Sequence, residues 1–466
     1  MSCIILGKRV LACLAAYVTP LLCISSLFAA CYINSTLAQE AIAAPETMAS
    51  PAASLTLEQA AKKLLMQHPE LQGYSWRLKA ATGQAELAAL NPDYRLAIDT
   101  ENLLGSGDYA GVKSLELTVA LSSVLELGDK RQARLATASA ERALLLAKQQ
   151  ASSLDLVGEL TQRFIRVLTL QQKQQLAVDN QTLAEQGLQL VRQRVQSGAA
   201  PAAELLHAKV AVSQAQLQQG LLQAELESSK QALASLWGAP YADFSEVSGD
   251  LLQLADSVDF QLLYQRVLAT PQLEVFAATA RLQQAQLAQL QSQSIADVSW
   301  QLGVKRSWDN RDVALVAGLA VPLFSQSRQQ GAIKMALSEQ EVQRLNQQYE
   351  LQQLRARLYQ AWQLHRASSM AVRDLQREIL PLLQQALTET EQAYLGGRYS
   401  YADWLSARQA LQEARLQLLD AASTALSNQA LIEQLSGLPL VDHHAVNRRL
   451  SPLFSSAVTA GAGVLP

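Results

Sequence analysis

Cysteine is missing from almost the whole chain: the four present, Cys3, Cys13, Cys23 and Cys31, all lie at the start of a 466-residue sequence. An exported protein that loses this leader has no disulfide and no thiolate metal site, so its stability must come from packing and assembly. Charge is scarce too. Charged residues make up 17%, against roughly 25% in soluble domains, and Gln and Ala take their place, which suits closely packed helices with uncharged polar faces. The formal net charge of −3 offers no electrostatic footprint for nucleic acid. Catalytic constellations are also lacking. His68, His207 and His365 are isolated, no histidine pair has the i, i+4 spacing of a helical zinc site, and no Gly-rich phosphate loop or triad stands out. His443 and His444 beside Asp442 read as a solvated segment. Neither enzyme activity nor a cofactor nor a metal site is expected.

What is present begins with Lys8 and Arg9 followed by an apolar run from Val10 to Ala30, the order of a bacterial export signal. Two cleavage points are available. Thr36-Leu37-Ala38 is a small-x-small site that makes residues 1–38 the signal. Phe28-Ala29-Ala30-Cys31 resembles a lipoprotein box that would end the signal at residue 30 and leave a lipidated Cys31. Phe28 stands where Leu, Ile or Val is usual, which favours the first. A linker containing Pro and Ala follows over residues 39–54.

Two stretches then alternate with a period of two, the mark of strands with one apolar and one polar face. Tyr94, Leu96 and Ile98 alternate with Arg95, Ala97 and Asp99; Leu115, Leu117, Val119 and Leu121 alternate with Ser114, Glu116, Thr118 and Ala120. Gly105-Ser106-Gly107 and Gly111 supply the turn. The pattern returns about 200 residues later, with Val298, Trp300, Leu302 and Val304 facing one way and a further run from Val313 to Val321.

Nearly everything else reads as helix. Thr56 and Gln59 form a plausible capping box, His68-Pro69 interrupts the helix it opens, and Asn91-Pro92 hands over to the first strand. From Asp129 to Gln196 there is no proline, which at 1.5 Å per residue predicts a helix of about 100 Å. Ser197-Gly198-Ala199-Ala200-Pro201 ends it, with Gly198 suited to a helix C-terminus and Pro201 to the first turn of the next helix, which runs from about Ala202 to Trp237. The second half repeats the order: Thr270-Pro271, a long helix from about Ser327 to Leu395, the turn Gly396-Gly397, and a last helix from Tyr401 to Leu435. The tips align without gaps at a shift of 199, Gly198 over Gly397 and Glu204 over Asp403. Pro381 departs from the first half and predicts a kink or break. The organisation expected is a first repeat over 55–238, a connection over 239–257, a second repeat over 258–438 and a loose tail over 439–466.

Strands of about ten residues are long enough to cross a bilayer when tilted, but four cannot close a barrel, whose smallest form has about eight. Open sheet edges are not tolerated in lipid. If the hairpins lie in a membrane, several chains must pool them: three chains give twelve strands and two give eight.

These motifs resemble those of the TolC-like outer membrane efflux family, and within it the cobalt-zinc-cadmium type components of heavy-metal exporters. The residues that carry the likeness are Leu55-Thr56-Leu57-Glu58-Gln59-Ala60 with His68-Pro69-Glu70-Leu71, Glu101-Asn102, and the strand-to-helix junction Leu125-Glu126-Leu127-Gly128-Asp129-Lys130-Arg131. Gly198-Ala199-Ala200-Pro201 with Glu204, and Gly397 with Asp403, complete it. Asp129 stands where the family often has a second glycine. The resemblance implies a mainly α fold with a small transmembrane β part: a homotrimer with an α-barrel tunnel in the periplasm and a twelve-stranded barrel in the outer membrane lipid. It implies a periplasmic adaptor and an inner membrane pump of the resistance-nodulation-division type as partners. It also implies that Glu204 and Asp403 ring a tunnel gate, with Ser406 where some relatives have a second acid. The alternative reading of either acid is complementing a helix dipole. The tips, Gly198, Ala199, Ala200 and Pro201 in one repeat and Gly397, Arg398 and Tyr399 in the other, are expected to dock the adaptor. Tyr94, Tyr109, Trp300 and Trp308 are candidates for an aromatic girdle. The same duct could serve drugs, organic solutes or a secreted polypeptide, and a periplasmic coiled-coil scaffold is the reading from a different class.

Overall fold

A computed structural model describes residues 54–437 except Ser257 and Phe324, and only the backbone at 325–327. The export signal, Cys31, the linker up to residue 53 and the tail with Asp442, His443 and His444 lie outside the described residues.

β1 (Leu55–Thr56) leads into α1 (Leu57–Gln67), which opens with the expected capping box: the Gln59 amide donates to Thr56 Oγ1 at 3.3 Å and the Thr56 amide to Gln59 Oε1 at 3.1 Å. α2 (Pro69–Ala89) starts at the prolyl step, with His68 as N-cap. Next come β2 (Arg95–Glu101), β3 (Glu116–Leu125), α3 (Lys130–Gln196) and α4 (Ala202–Ala234). β4 (Val247–Ser248) pairs in parallel with β1. α5 (Phe260–Val267), α6 (Pro271–Gln293), β5 (Val298–Ser307), β6 (Val313–Ala320) and α7 (Ser325–Asp374) follow, then α8 (Leu380–Leu395) and α9 (Tyr401–Ser436). The molecule is mainly helical with one small antiparallel sheet. α3, 67 residues long, packs along α2, α4, α6 and α9.

The two glycines of α3 mark where α9 comes close. A Cβ at Gly158 would sit 2.2 Å from Gln434 Oε1, and one at Gly187 3.2 Å from the Arg408 guanidinium. They are 29 residues apart, about eight turns, and so lie on one face. The widest core lies near the middle of α3, where Leu160, Val167 and Leu168 meet Leu64, Leu233, Trp237 and Phe244. His365 is buried beside it, its ring held between Ala425 O (3.0 Å) and Ala255 O (3.2 Å).

The expected kink at Pro381 takes a different form. Residues Leu375–Ile379 make one π turn in which the Leu380 amide donates to Leu375 O five residues back, and α8 continues directly with helical dihedrals. Proline lacks an N–H and its ring crowds the carbonyl four residues earlier; the wider turn removes both conflicts without breaking the helix.

The strands form one sheet in the order β2-β3-β5-β6, antiparallel throughout. Its register runs Leu96 to Leu121 to Leu302 to Ala317 and Ile98 to Val119 to Val304 to Leu315, so one face is apolar. That face is uncovered: Leu96, Leu302, Leu315 and Leu319 are all exposed. β2 and β6 are each paired on one side only.

Between sheet and helices the chain turns sharply, with Gly128 at φ 75° and Asp129 at φ 56°. A Cβ at Gly128 would strike Ile295 at 2.5 Å. Asp129 adopts the left-handed conformation that glycine takes without strain, which explains why a glycine there is compatible with the junction. Asp129→Gly should therefore stabilise the protein by about 0.5–1 kcal/mol, whereas Asp129→Val should destabilise it; denaturant midpoints of the purified protein test both.

Candidate functional site

The two turns far from the sheet have the same geometry, dictated by a glycine at equivalent places. At the first, Gly198 takes φ 75°, its amide donates to Val195 O at 3.1 Å, and the Ala199 amide donates to Arg194 O at 2.8 Å. At the second, Gly397 takes φ 72°, its amide donates to Tyr394 O at 3.0 Å, and the Arg398 amide donates to Ala393 O at 2.9 Å. Both are Schellman turns. Pro201 is the N-cap of α4, and the helix starts at Ala202, where the sequence places it. Ala199, Gly397, Arg398 and Tyr399 are exposed, and Ala200 is partly covered.

The equivalent acids have different partners. Asp403 closes a capping box with Ser400, accepting from its amide at 2.9 Å and its hydroxyl at 2.7 Å. These bonds, the hydroxyl first, hold its carboxyl below the ordinary range. Ser406 is exposed one helical step further on. Glu204, half-buried, instead accepts a hydrogen bond from the Tyr394 hydroxyl at 2.9 Å across the gap between the two hairpins. Burial first and the hydrogen bond to Glu204 second push the Tyr394 phenol well above its usual pKa.

Tyr394 belongs to a cluster that sequence reasoning missed. It stacks on Trp404 (5.3 Å between centroids, 9° between planes), and Tyr401 meets both rings edge-on. Arg194 of α3 lies over the Tyr394 ring at 4.5 Å and donates to Tyr394 O (2.9 Å) and Leu395 O (3.0 Å), the last carbonyls of α8. Arg408, nine-tenths buried, donates to Asn180 O at 3.1 Å, and its burial lowers its pKa. The repeat itself held the missing signal: at the 199-residue shift Tyr394, Tyr401 and Trp404 fall over Val195, Ala202 and Leu205. Only the second tip carries rings.

At the other end of the molecule the sheet presents aromatics near both margins of its apolar face. Tyr94 packs edge-on to Trp300 at 6.3 Å beside the helices, and Arg306 lies over Trp308 at 5.0 Å beside the loops. Tyr109 lies in the short 3-10 turn Gly107–Tyr109 between β2 and β3. No helix among the described residues is long and apolar enough to cross a membrane. No cluster of possible metal ligands occurs among the described residues.

Long helical hairpins that end in paired tips and carry a short, outwardly apolar sheet are what an outer membrane duct requires, and residues 60–239 match the family described as Outer membrane efflux protein. Over those residues the chain belongs to that family. It is therefore an outer membrane efflux channel rather than an enzyme, with its helical tunnel in the periplasm. Among its relatives is the cobalt-zinc-cadmium resistance protein CzcC of Cupriavidus metallidurans, 27% identical over 321 residues, 69% of this chain and 77% of CzcC. The pyoverdine export outer membrane protein OpmQ of Pseudomonas putida is 27% identical over 294 residues, 58% of this chain and 62% of OpmQ. The crystal structure of CusC superimposes with a TM-score of 0.70 at 16% identity, covering 82% of this chain and 92% of that one.

Proposed function

We propose that this efflux channel is a homotrimeric exit duct for heavy-metal cations, working with a periplasmic adaptor and an inner membrane pump of the resistance-nodulation-division type. The number three rests on the family resemblance, and the observation that carries the assembly is the sheet. Its four strands leave both edges unpaired and one face apolar, which lipid does not permit for a lone chain, while three chains pairing β2 with β6 would close twelve strands. The helices support the same assembly. Leu206, Val210, Leu217 and Leu221 make an exposed apolar stripe on α4, and Val342, Leu345 and Tyr349 another on α7; a second copy would cover them.

In this reading residues 55–238 and 258–438 are two repeats of one unit, and the exposed tips around Gly198 and Gly397 receive the adaptor. Glu204 and Asp403, with Ser406 nearby, line the constriction where the hairpins converge. The metal assignment rests on the likeness to CzcC. OpmQ, whose name points to a small organic solute, supports the second reading, the same duct serving organic molecules.

The assembly is tested by membrane fractionation followed by crosslinking of the unheated detergent extract. A three-chain species in the outer membrane is expected; a soluble periplasmic monomer would sink the trimer. Deletion of the gene should sensitise cells to zinc, cobalt or cadmium more than to dyes and detergents, and the reverse order would transfer the substrate to organic solutes.

A further inference from the structure

Ionisable groups are unevenly spread over the polar face of the sheet. The register sets Ala97, Ala120, Gly303 and Val316 in one uncharged row. The next row toward the loops holds Asp99, Thr118, Lys305 and Ala314, and the last holds Glu101, Glu116 and Ser307. Glu101 and Glu116 are direct cross-strand partners, an arrangement in which like charges repel. Lys305, on the third strand, resolves it: its ammonium lies 3.0 Å from Glu101 Oε2 and pairs with Glu116 as well. A cation is thus built into a collar of three carboxylates, at the margin of the sheet furthest from the helices.

Two carboxylates side by side on neighbouring strands are a natural resting place for a divalent cation, because oxygen ligands suit such ions. A duct that held its cargo there would stall, since conduction needs binding weak enough for the ion to leave. We propose that Lys305 is a tethered counter-ion that occupies the position between Glu101 and Glu116, so that the outer collar attracts exported cations without trapping them. This rests on the reading of the sheet's polar face as the wall of a cation duct.

The test is conductance of the purified protein in planar bilayers, with cobalt chloride added on the side of the sheet's loops. Lys305→Met should be blocked at a cobalt concentration about ten-fold lower than the wild type, given the size of a removed charge at this range. Lys305→Arg should behave as wild type, and Lys305→Met with Glu101→Gln and Glu116→Gln should lose the added block. Wild-type sensitivity in Lys305→Met, or block that survives loss of both carboxylates, overturns the proposal. Should Lys305→Met not assemble, the variant carrying only Glu101→Gln and Glu116→Gln leaves the ammonium unpaired and should shift the reversal potential toward anions; an unshifted potential overturns the proposal equally. A wild-type protein that forms no conducting channel overturns the duct itself, which separates that failure from a failure of Lys305.

Discussion

Arg134→Met is expected to destabilise the protein by about 2–3 kcal/mol, the upper part of the range for hydrogen bonds to a charged group, because the pair is partly buried, and to empty the outer membrane of assembled channel. Arg134 sits on the first turns of α3 and ties three pieces of the junction together. Its guanidinium donates to Glu126 Oε2 at 3.0 Å, to Leu90 O at 3.1 Å and to Ala88 O at 3.4 Å. The carbonyls are the C-terminal end of α2, where a cation complements the helix dipole and satisfies acceptors that have no helical partner. Glu126 is the link to the end of β3, and its side chain is only 19% exposed. Removing the guanidinium strands that carboxylate and frees the end of α2 from the start of α3, so the sheet loses its fixed angle to the helices. Arg131, which makes a single bond to Ala89 O at 2.7 Å, is the control: Arg131→Met should cost about 1–2 kcal/mol. Urea midpoints, together with the fraction of each variant recovered as heat-modifiable oligomer, read the difference. Equal midpoints for the two variants would show that the junction does not depend on Arg134.

Local patterns made much of this fold legible. Alternation of Leu96, Ile98, Val119, Leu302 and Val304 with polar neighbours located the strands, because a period of two is written in the chain itself. The absence of proline from 129 to 196 gave α3 almost to the residue, and Gly198 and Gly397 marked the turns because only they accept the required φ cheaply. Features decided by distant partners were hidden. That β3 pairs with β5, joining the two hairpins into one sheet, depends on contacts nearly 200 residues apart. The π turn before Pro381 belongs to the helix's answer to proline rather than to any local motif. At the tips, the equivalence of Glu204 and Asp403 was visible but the divergence of their surroundings was not. Asp403 finds a serine three residues away, whereas Glu204 finds a tyrosine from the other repeat.

Arg194→Ala combined with Tyr394→Phe is expected to raise the conductance of the duct in planar bilayers by about ten-fold, a modest part of what the lost contacts could shift. The phenol's hydrogen bond to the Glu204 carboxylate is charge-assisted, worth about 1.5–3 kcal/mol, and the Arg194 guanidinium adds a cation–π contact of about 0.5–2 kcal/mol besides its bonds to the end of α8. Together they are the strap across the two hairpin tips. Without it α8 and the start of α9 keep their own turn but lose their hold on α3 and α4, so the constriction widens while the helices stay folded. Asp403→Asn provides the contrast. It removes a charge at the constriction and weakens a helix cap, whose stabilisation is present above the unfolded carboxylate pKa of about 3.9 and is lost as pH falls through the lower folded value. It leaves the strap intact, however, so at neutral pH its conductance should stay near the wild type. If Asp403→Asn opens the duct and the double variant does not, the gate is set by repulsion among acids on the axis rather than by a strap between the repeats.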